Sequence, residues 1–189
     1  KSGKIGNMHN LGVAEKRLIF MVAINHKSSQ FNNSDYSLYS INTWKFWCDY
    51  HKIDFFVLTE DEVGLKFPIW NKEKIYMIGE DYDKIGIVDS DTMIRWDSPN
   101  IFDLIEEDKF YGVNDLCDLS WLLSSIKDRQ KFFPHQQIDL FKYLNAGVLF
   151  FGKKHLPLFK ELLDFYLLNQ DEIHAIKGGG KEQTLLNFV

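Results

Sequence analysis

The chain of 189 residues is 45% hydrophobic and 15% aromatic, which suits a single globular domain and excludes a disordered chain. Its formal net charge of −5 argues against a general basic surface, so we expect no nucleic-acid partner. No apolar run approaches the roughly 20 residues that span a bilayer, so we expect no transmembrane segment. The two isolated cysteines favour a reducing compartment, so we expect a cytoplasmic protein.

Predicted strands and helices alternate along the chain after a polar lead-in, residues 1–16. Continuous apolar runs bounded by turn or polar residues predict strands at 17–24, 53–58, 85–88, 110–113 and 145–151. Apolar residues at helical spacing predict helices at 35–50, 68–78, 119–126 and 182–188. Prolines and an N-cap serine predict two further helix starts, at Ser98-Pro99 and near Pro157. The alternation predicts an α/β fold in which residues 17–189 form one domain around a mostly parallel, Rossmann-like central sheet, with helices on both faces.

Two carboxylates, Asp89 and Asp91, directly follow the buried run Ile85-Gly-Ile-Val88. In open α/β sheets, ligands bind in the crevice beyond the carboxyl ends of the strands. Two acids there repel each other unless a cation lies between them, and hard oxygen ligands favour Mg²⁺ or Mn²⁺ with positions left for substrate phosphates. The stretch therefore predicts a divalent metal site, although the same short pattern also occurs in solvated turns.

Several common catalytic and nucleotide-binding patterns are absent from the sequence. It contains no GxGxxG, no GxxxxGK[ST], no GxSxG and no HExxH. The run Gly178-Gly-Gly-Lys181 is rich in glycine, but it lacks the spacing of a P-loop and the hydroxyl residue after the lysine. Dinucleotide, P-loop, serine-hydrolase and zinc-protease chemistry therefore have no support in this sequence.

Three stretches in order resemble nucleotide-sugar glycosyltransferases of the GT-A fold, in particular the glycogenin and lipopolysaccharide galactosyltransferase group. They are Tyr82 to Ile94, Asn145 to Leu149 and Gly179 to Asn187, and the likeness runs from about Arg17 to the end of the chain. The resemblance implies a metal-dependent hexosyltransferase that uses a UDP-sugar and retains the anomeric configuration. Its acceptor would be a glycan, a lipid-linked glycan or a protein.

On the nucleotide side, the resemblance implies that Asp91 binds a Mn²⁺ or Mg²⁺ ion that bridges the diphosphate. Asp89 would share that ion or hold the ribose. Lys72 or Lys74 matches a basic residue that contacts the donor, and the sequence does not choose between them; either could also be a solvated helix lysine. The other residues expected at the nucleotide are Ala23, Ile24, Asn25 and Ser90.

On the sugar side, Asn145 matches an asparagine that faces the donor sugar, and it could equally cap the start of its strand. Glu182 and Gln183 match an acid–glutamine pair beside the anomeric carbon. Glu182 could instead be an exposed first-turn acid, which the helix dipole favours. The three residues are therefore candidate catalytic residues.

Two departures from the resemblance keep other functions open. The family usually continues to a His and a Lys that complete the metal and diphosphate site, and no residue after Gln183 supplies them. An acid that often precedes the glycines is also absent, and Lys177 and Gly178 occupy its place. We therefore expect a longer natural chain, ligands from elsewhere or weak binding of the donor. A nucleotidyltransferase that makes nucleotide sugars is one alternative, although 26–33 offers only Lys27 to a triphosphate. The other alternative is a non-catalytic module that binds a nucleotide or a glycan.

Overall fold

The computed structural model describes residues 14–24, 36–61, 65–115 and 118–189. Its sheet has five strands in the order β2-β1-β3-β5-β4. Their bounds are β1 Arg17–Val22, β2 Asp54–Leu58, β3 Lys84–Asp89, β4 Phe110–Asn114 and β5 Leu144–Gly152. Strand β1 is parallel to β2 and β3, whereas β5 is antiparallel to both β3 and β4. Strands β1 to β4 therefore share one direction, which confirms the prediction of a mostly parallel sheet, and only β5 runs against it.

The described helices are α1 Tyr36–His51, α2 Ile75–Ile78, α3 Leu119–Arg129, α4 Leu156–Ala175 and α5 Lys181–Leu186. A 3-10 segment, Pro68–Lys74, leads directly into α2. None of the helices in the described ranges is long and apolar enough to cross a membrane.

The helix predicted after Ser98-Pro99 is wrong. The structure has only one 3-10 turn there, Ile101–Asp103, and Asn100 caps it by accepting a hydrogen bond from the Phe102 amide at 3.1 Å. The Ser98 carbonyl instead accepts a hydrogen bond from the Trp47 indole at 3.0 Å, which ties this segment to α1. Phe102 is fully buried, so the single turn already places its apolar side chain in the core.

Both faces of the sheet are covered, as the continuous apolar runs predicted. On one face, side chains such as Phe20, Trp70 and Phe159 form a core with the 3-10 segment and α4. On the other face, residues such as Met21 and Trp47 form a second core with α1. This second core includes Cys48, a free buried thiol whose pKa is raised to about 12, mainly by desolvation. The other cysteine, Cys117, and the predicted lead-in at residues 1–13 lie outside the described residues.

The direction of β5 decides which residues meet at the ligand edge of the sheet. Val22, the last residue of β1, is paired with Asp89, the last residue of β3. Because β5 is antiparallel to β3, it begins where β3 ends, and Val88 is paired with Val148. The segment Asn145-Ala-Gly147 therefore lies beside Asp89.

Candidate active site

Two adjoining cavities open at this edge of the sheet. The large cavity has a volume of about 460 Å³ and is lined by residues that include Asp115, Trp121, Asn145, the glycines 178–180, Glu182 and Gln183. The small cavity, of about 190 Å³, is lined by residues that include Val22, Ile24, Ser90 and Asp91. Ile69, Lys72 and Asp89 line both cavities, so the pair Lys72–Asp89 stands at their junction.

Lys72 is the central cation of the site. Its side-chain nitrogen lies 2.6 Å from Asp89 Oδ1 and 3.8 Å from Glu182 Oε2, and it donates a hydrogen bond to the Ala146 carbonyl at 3.1 Å. Only 4% of Lys72 is exposed. Burial alone would lower the pKa of Lys72, but the Glu182 and Asp89 carboxylates outweigh burial and raise it. The ammonium group is therefore charged at all ordinary pH values.

The structure distinguishes the two lysines that the sequence could not. Lys74 Nζ lies 3.8 Å from Asp61 Oδ1, and Lys74 lines neither cavity. Lys72 is therefore the lysine of the pair that lines the cavities.

Glu182 is buried, with 3% of its surface exposed, so the alternative of an exposed first-turn acid is wrong. Burial, partly offset by Lys72, raises the pKa of Glu182 to about 7. The neighbouring Glu73 is fully buried, and neither of its carboxylate oxygens has a hydrogen-bond partner among the described residues. Burial and the charge of Glu182 raise the pKa of Glu73 well above its ordinary value. The site thus places three acids, Asp89, Glu182 and Glu73, around one lysine, and burial favours the neutral form of Glu73.

A second polar cluster fixes the amides of Gln183 and Asn145. Gln183 Oε1 accepts a hydrogen bond from the Ala146 amide at 3.1 Å, while Gln183 Nε2 donates to Asp115 Oδ2 at 2.9 Å. Asn145 Nδ2 donates to the same Asp115 oxygen at 3.2 Å. Asn145 Oδ1 accepts from the Gly147 amide at 2.7 Å. Both amides are therefore held in one orientation, with Asp115 as the common acceptor.

Asp115 and Glu73 are site residues that the sequence reasoning missed. Asp115 directly follows β4, so the rule that selected Asp89, an acid just beyond a strand's carboxyl end, would have found it. Glu73 lies in the polar run Asn71-Lys-Glu-Lys74, which gives no sign that it would be buried.

Gly147 is required for the close approach of Asp89 and Asn145. A Cβ atom at Gly147 would lie 2.8 Å from Asp89 Oδ2 and 2.8 Å from Asn145 Oδ1. Distances under about 3 Å are below van der Waals contact, so any side chain here would displace both polar groups.

Of the remaining residues expected at the nucleotide, three line the small cavity: Ile24, Ser90 and the exposed Asp91. Ala23 does not line it. The Ala23 amide extends the sheet by donating a hydrogen bond to the Leu58 carbonyl at 2.8 Å. Asn25 lies outside the described residues.

The arrangement of the acids decides whether a divalent ion fits this site. Within residues 14–24, 36–61, 65–115 and 118–189, no group of three or more His, Cys, Asp or Glu side chains could hold a metal ion. Magnesium-type sites, however, are commonly formed by one or two carboxylates that are completed by substrate phosphates and water. Asp89 and Asp91 beside an open cavity fit that arrangement.

Comparison with known proteins identifies the fold. No family model matches the sequence, and no curated protein is similar to it. Among solved structures, the chain is similar to a glycosyltransferase involved in glycosylation of the major capsid of PBCV-1, with a TM-score of 0.54 and 13% identity over 80% of this chain and 67% of that one. It is also similar to the bifunctional glycosyltransferase WbbM, with a TM-score of 0.53 and 12% identity over 95% of this chain and 38% of that one.

A third similar structure is the galactosyltransferase LgtC in complex with donor and acceptor sugar analogues. The TM-score is 0.52 and the identity is 14%, over 90% of this chain and 70% of LgtC. At these identities the likeness concerns the fold, and it confirms the resemblance to the GT-A glycosyltransferases at that level. The chain therefore has a single α/β domain with the GT-A-like fold of these glycosyltransferases.

Proposed function

We propose that the chain is a glycosyltransferase that transfers a hexose from a nucleotide-sugar donor, a UDP-sugar, with the help of Mn²⁺ or Mg²⁺. The observation that carries this proposal is the pair of cavities that meet at Lys72 and Asp89. One cavity has the paired acids of the Asp-x-Asp stretch, and the other has the acids Asp115 and Glu182 beside two fixed amides. The structure of LgtC, which holds donor and acceptor sugar analogues, supports the same assignment by analogy of fold.

In this proposal the nucleotide occupies the small cavity. Ile24 and Ser90 line it, and Ala23 and Asn25 flank Ile24 in the sequence. A divalent ion bound by Asp91 and Asp89 would neutralise charge on the departing diphosphate. Lys72 adds a permanent positive charge between the two cavities, where it can attract the diphosphate and keep the Asp89 carboxylate in place.

The donor sugar then occupies the large cavity. Gln183 and Asn145 are held by Asp115, so their amides do not need to reorganise when the sugar arrives, and such preorganisation favours catalysis. Glu182 has a pKa of about 7, so its charge beside the sugar responds to the diphosphate and to pH. Retention of configuration belongs to the proposal, as does an acceptor that is a glycan, a lipid-linked glycan or a protein.

A non-catalytic nucleotide-binding or glycan-binding module is the second candidate. It is favoured by one observation: the described residues offer two carboxylates for a metal and no third protein ligand. Such a module would bind UDP or a sugar at the same cavities without releasing UDP from a donor.

The experiment is a calorimetric titration of UDP into the protein with Mn²⁺ and, separately, with EDTA. The proposal expects binding that depends on the ion, and UDP at 100 times its dissociation constant should stabilise the fold by about 2.7 kcal/mol. Asp91→Asn should abolish the ion dependence. The matched control is Asp97→Asn, because Asp97 is an exposed acid paired with Arg95 outside both cavities.

Equal UDP affinity with Mn²⁺ and with EDTA would refute metal dependence. Metal-dependent UDP binding together with complete stability of a panel of UDP-hexoses would favour the non-catalytic module.

A further inference from the structure

One face of α3 contacts the glycine loop, defined here as Gly178 to Gly180. Trp121, Ser125 and Arg129 are spaced by four residues, so they lie on one face of the helix. A Cβ atom at Gly180 would lie 2.7 Å from the Trp121 ring and 3.1 Å from Ser125 Oγ. The helix thus packs directly against the loop that leads to Glu182 and Gln183.

Arg129 makes a hydrogen bond between α3 and this loop. Its Nη2 donates to the Gly179 carbonyl at 2.9 Å, and its Nη1 donates to the carbonyl and hydroxyl of Ser125 at 3.0 and 2.9 Å. Arg129 is 1% exposed, and no carboxylate in the described parts of the chain forms an ion pair with it. Burying a cation without an anionic partner is costly, so its contribution comes from these hydrogen bonds.

Thr184 connects the same helix to α5. Its hydroxyl lies 2.6 Å from Ser125 Oγ and 2.7 Å from the Tyr143 hydroxyl, and Thr184 is fully buried. Thr184 follows Gln183 in the chain. The hydrogen bonds of Arg129 to Gly179 and of Ser125 to Thr184 therefore hold both ends of the short segment that carries Glu182 and Gln183.

The glycine loop and α5 do not hold this geometry by themselves. Gly178 and Gly180 have φ angles of 99° and 67°, a region that glycine enters without preference for a single conformation. Helix α5 has six residues, and isolated helices of that length are unstable in water. The position of Glu182 and Gln183 must come from tertiary contacts, and α3 supplies the polar ones on this side.

We propose that Arg129 is a positioning residue: by fixing the Gly179 carbonyl, it holds Glu182 and Gln183 in the orientation that faces the donor sugar. This inference rests on the proposed function. Arg129 lines neither cavity, so it acts through the loop and contacts no substrate.

The test compares Arg129→Met with Lys127→Met, because Lys127 is an exposed lysine on the same helix. Two readouts are needed: turnover of UDP-hexose hydrolysis alongside UDP affinity, and hydrogen exchange of amides 178–184 in the free protein. Displacement of reacting groups by about 1 Å can cost roughly 100-fold in rate, so Arg129→Met should lower turnover by that order while UDP affinity stays unchanged. Amides of the loop should exchange faster in Arg129→Met and at the parent rate in Lys127→Met, and Arg129→Lys should fall between them.

Equal loop exchange in Arg129→Met and Lys127→Met would overturn the proposal. Equal loss of UDP affinity and turnover would also overturn it, because it would mean that the whole site had been disturbed. If Arg129→Met does not fold, Thr184→Val removes one hydroxyl from the same network and should produce the same separation of turnover from affinity. If the parent neither binds UDP nor hydrolyses a donor, the proposed function fails, and loop exchange alone decides whether Arg129 anchors the loop.

Discussion

Replacing Lys72 with Met tests the electrostatic centre of the site. Met keeps most of the length and apolar volume of the lysine stem but removes the ammonium group. Glu182, which is 3% exposed, then loses its cation. Removing one partner of a buried ion pair destabilises a protein by about 3–5 kcal/mol, so we expect a loss of that order well above pH 7, where Glu182 is ionised in the parent.

The loss should depend on pH in a defined direction. The folded-state pKa of Glu182, about 7, is raised above its ordinary value of 4.5. A raised carboxyl pKa means that stability is highest at low pH and falls as the pH rises towards the folded-state pKa. Between pH 4.5 and 7, parent and variant should lose stability in parallel. Without Lys72, Glu182 in the folded variant should stay protonated to higher pH than in the parent. Above pH 7 the variant alone should therefore go on losing stability, by about 1.4 kcal/mol per pH unit.

The assay is guanidinium unfolding of both proteins at several pH values. The double variant Lys72→Met with Glu182→Gln should recover most of the loss, because it removes the uncompensated carboxylate. Lys74→Met is the matched control, since Lys74 lies two residues away and outside both cavities. Its loss should be smaller than that of Lys72→Met, because Lys74 lies 3.8 Å from Asp61 whereas Lys72 lies 2.6 Å from Asp89. A pH-independent difference, or equal losses for Lys72→Met and Lys74→Met, would refute this account of the Lys72 cluster.

Three further predictions concern neighbouring residues. Gln183→Ala should lower the turnover of donor hydrolysis by about 100-fold with UDP affinity unchanged, as measured by steady-state kinetics beside calorimetry; a fall in affinity alone would move Gln183 to the nucleotide side. Gly147→Ala should weaken Mn²⁺-dependent UDP binding, because its Cβ would displace Asp89 and Asn145, whereas unchanged affinity would mean that the donor needs neither group. Glu73→Gln should make the unfolding free energy fall less steeply with pH above pH 4.5, because the folded-state pKa of Glu73 is raised and the amide cannot ionise. Identical slopes of unfolding free energy against pH in parent and variant would instead mean that Glu73 is an ionised carboxylate.

Much of the sheet could be predicted because of how its strands are buried. Strands β1 and β3 are covered on both faces, so their sequences are unbroken apolar runs. The same run length occurs in parallel and antiparallel strands, so the reversed direction of β5 could not be predicted. That reversal is what brings Asn145 and Gly147 next to Asp89.

Asp89 could be selected because it ends a buried apolar strand, whereas Gln183 and Asn145 were selected through the family resemblance. The structure brings all three to the same pair of cavities. The choice between Lys72 and Lys74 could not be made, because it depends on which side of a 3-10 segment faces the sheet edge. The burial of Glu182 depends on contacts across the fold that the local helix pattern does not contain.

A crystal structure with Mn²⁺ and an unreactive UDP-hexose analogue tests the central claim most directly. The proposed arrangement predicts uracil and ribose in the small cavity and Mn²⁺ between the diphosphate and the carboxylates of Asp91 and Asp89. It also predicts Lys72 beside the diphosphate and the anomeric carbon facing Gln183 in the large cavity. Density for the nucleotide outside the small cavity, or for the hexose away from Gln183 and Asn145, would contradict it.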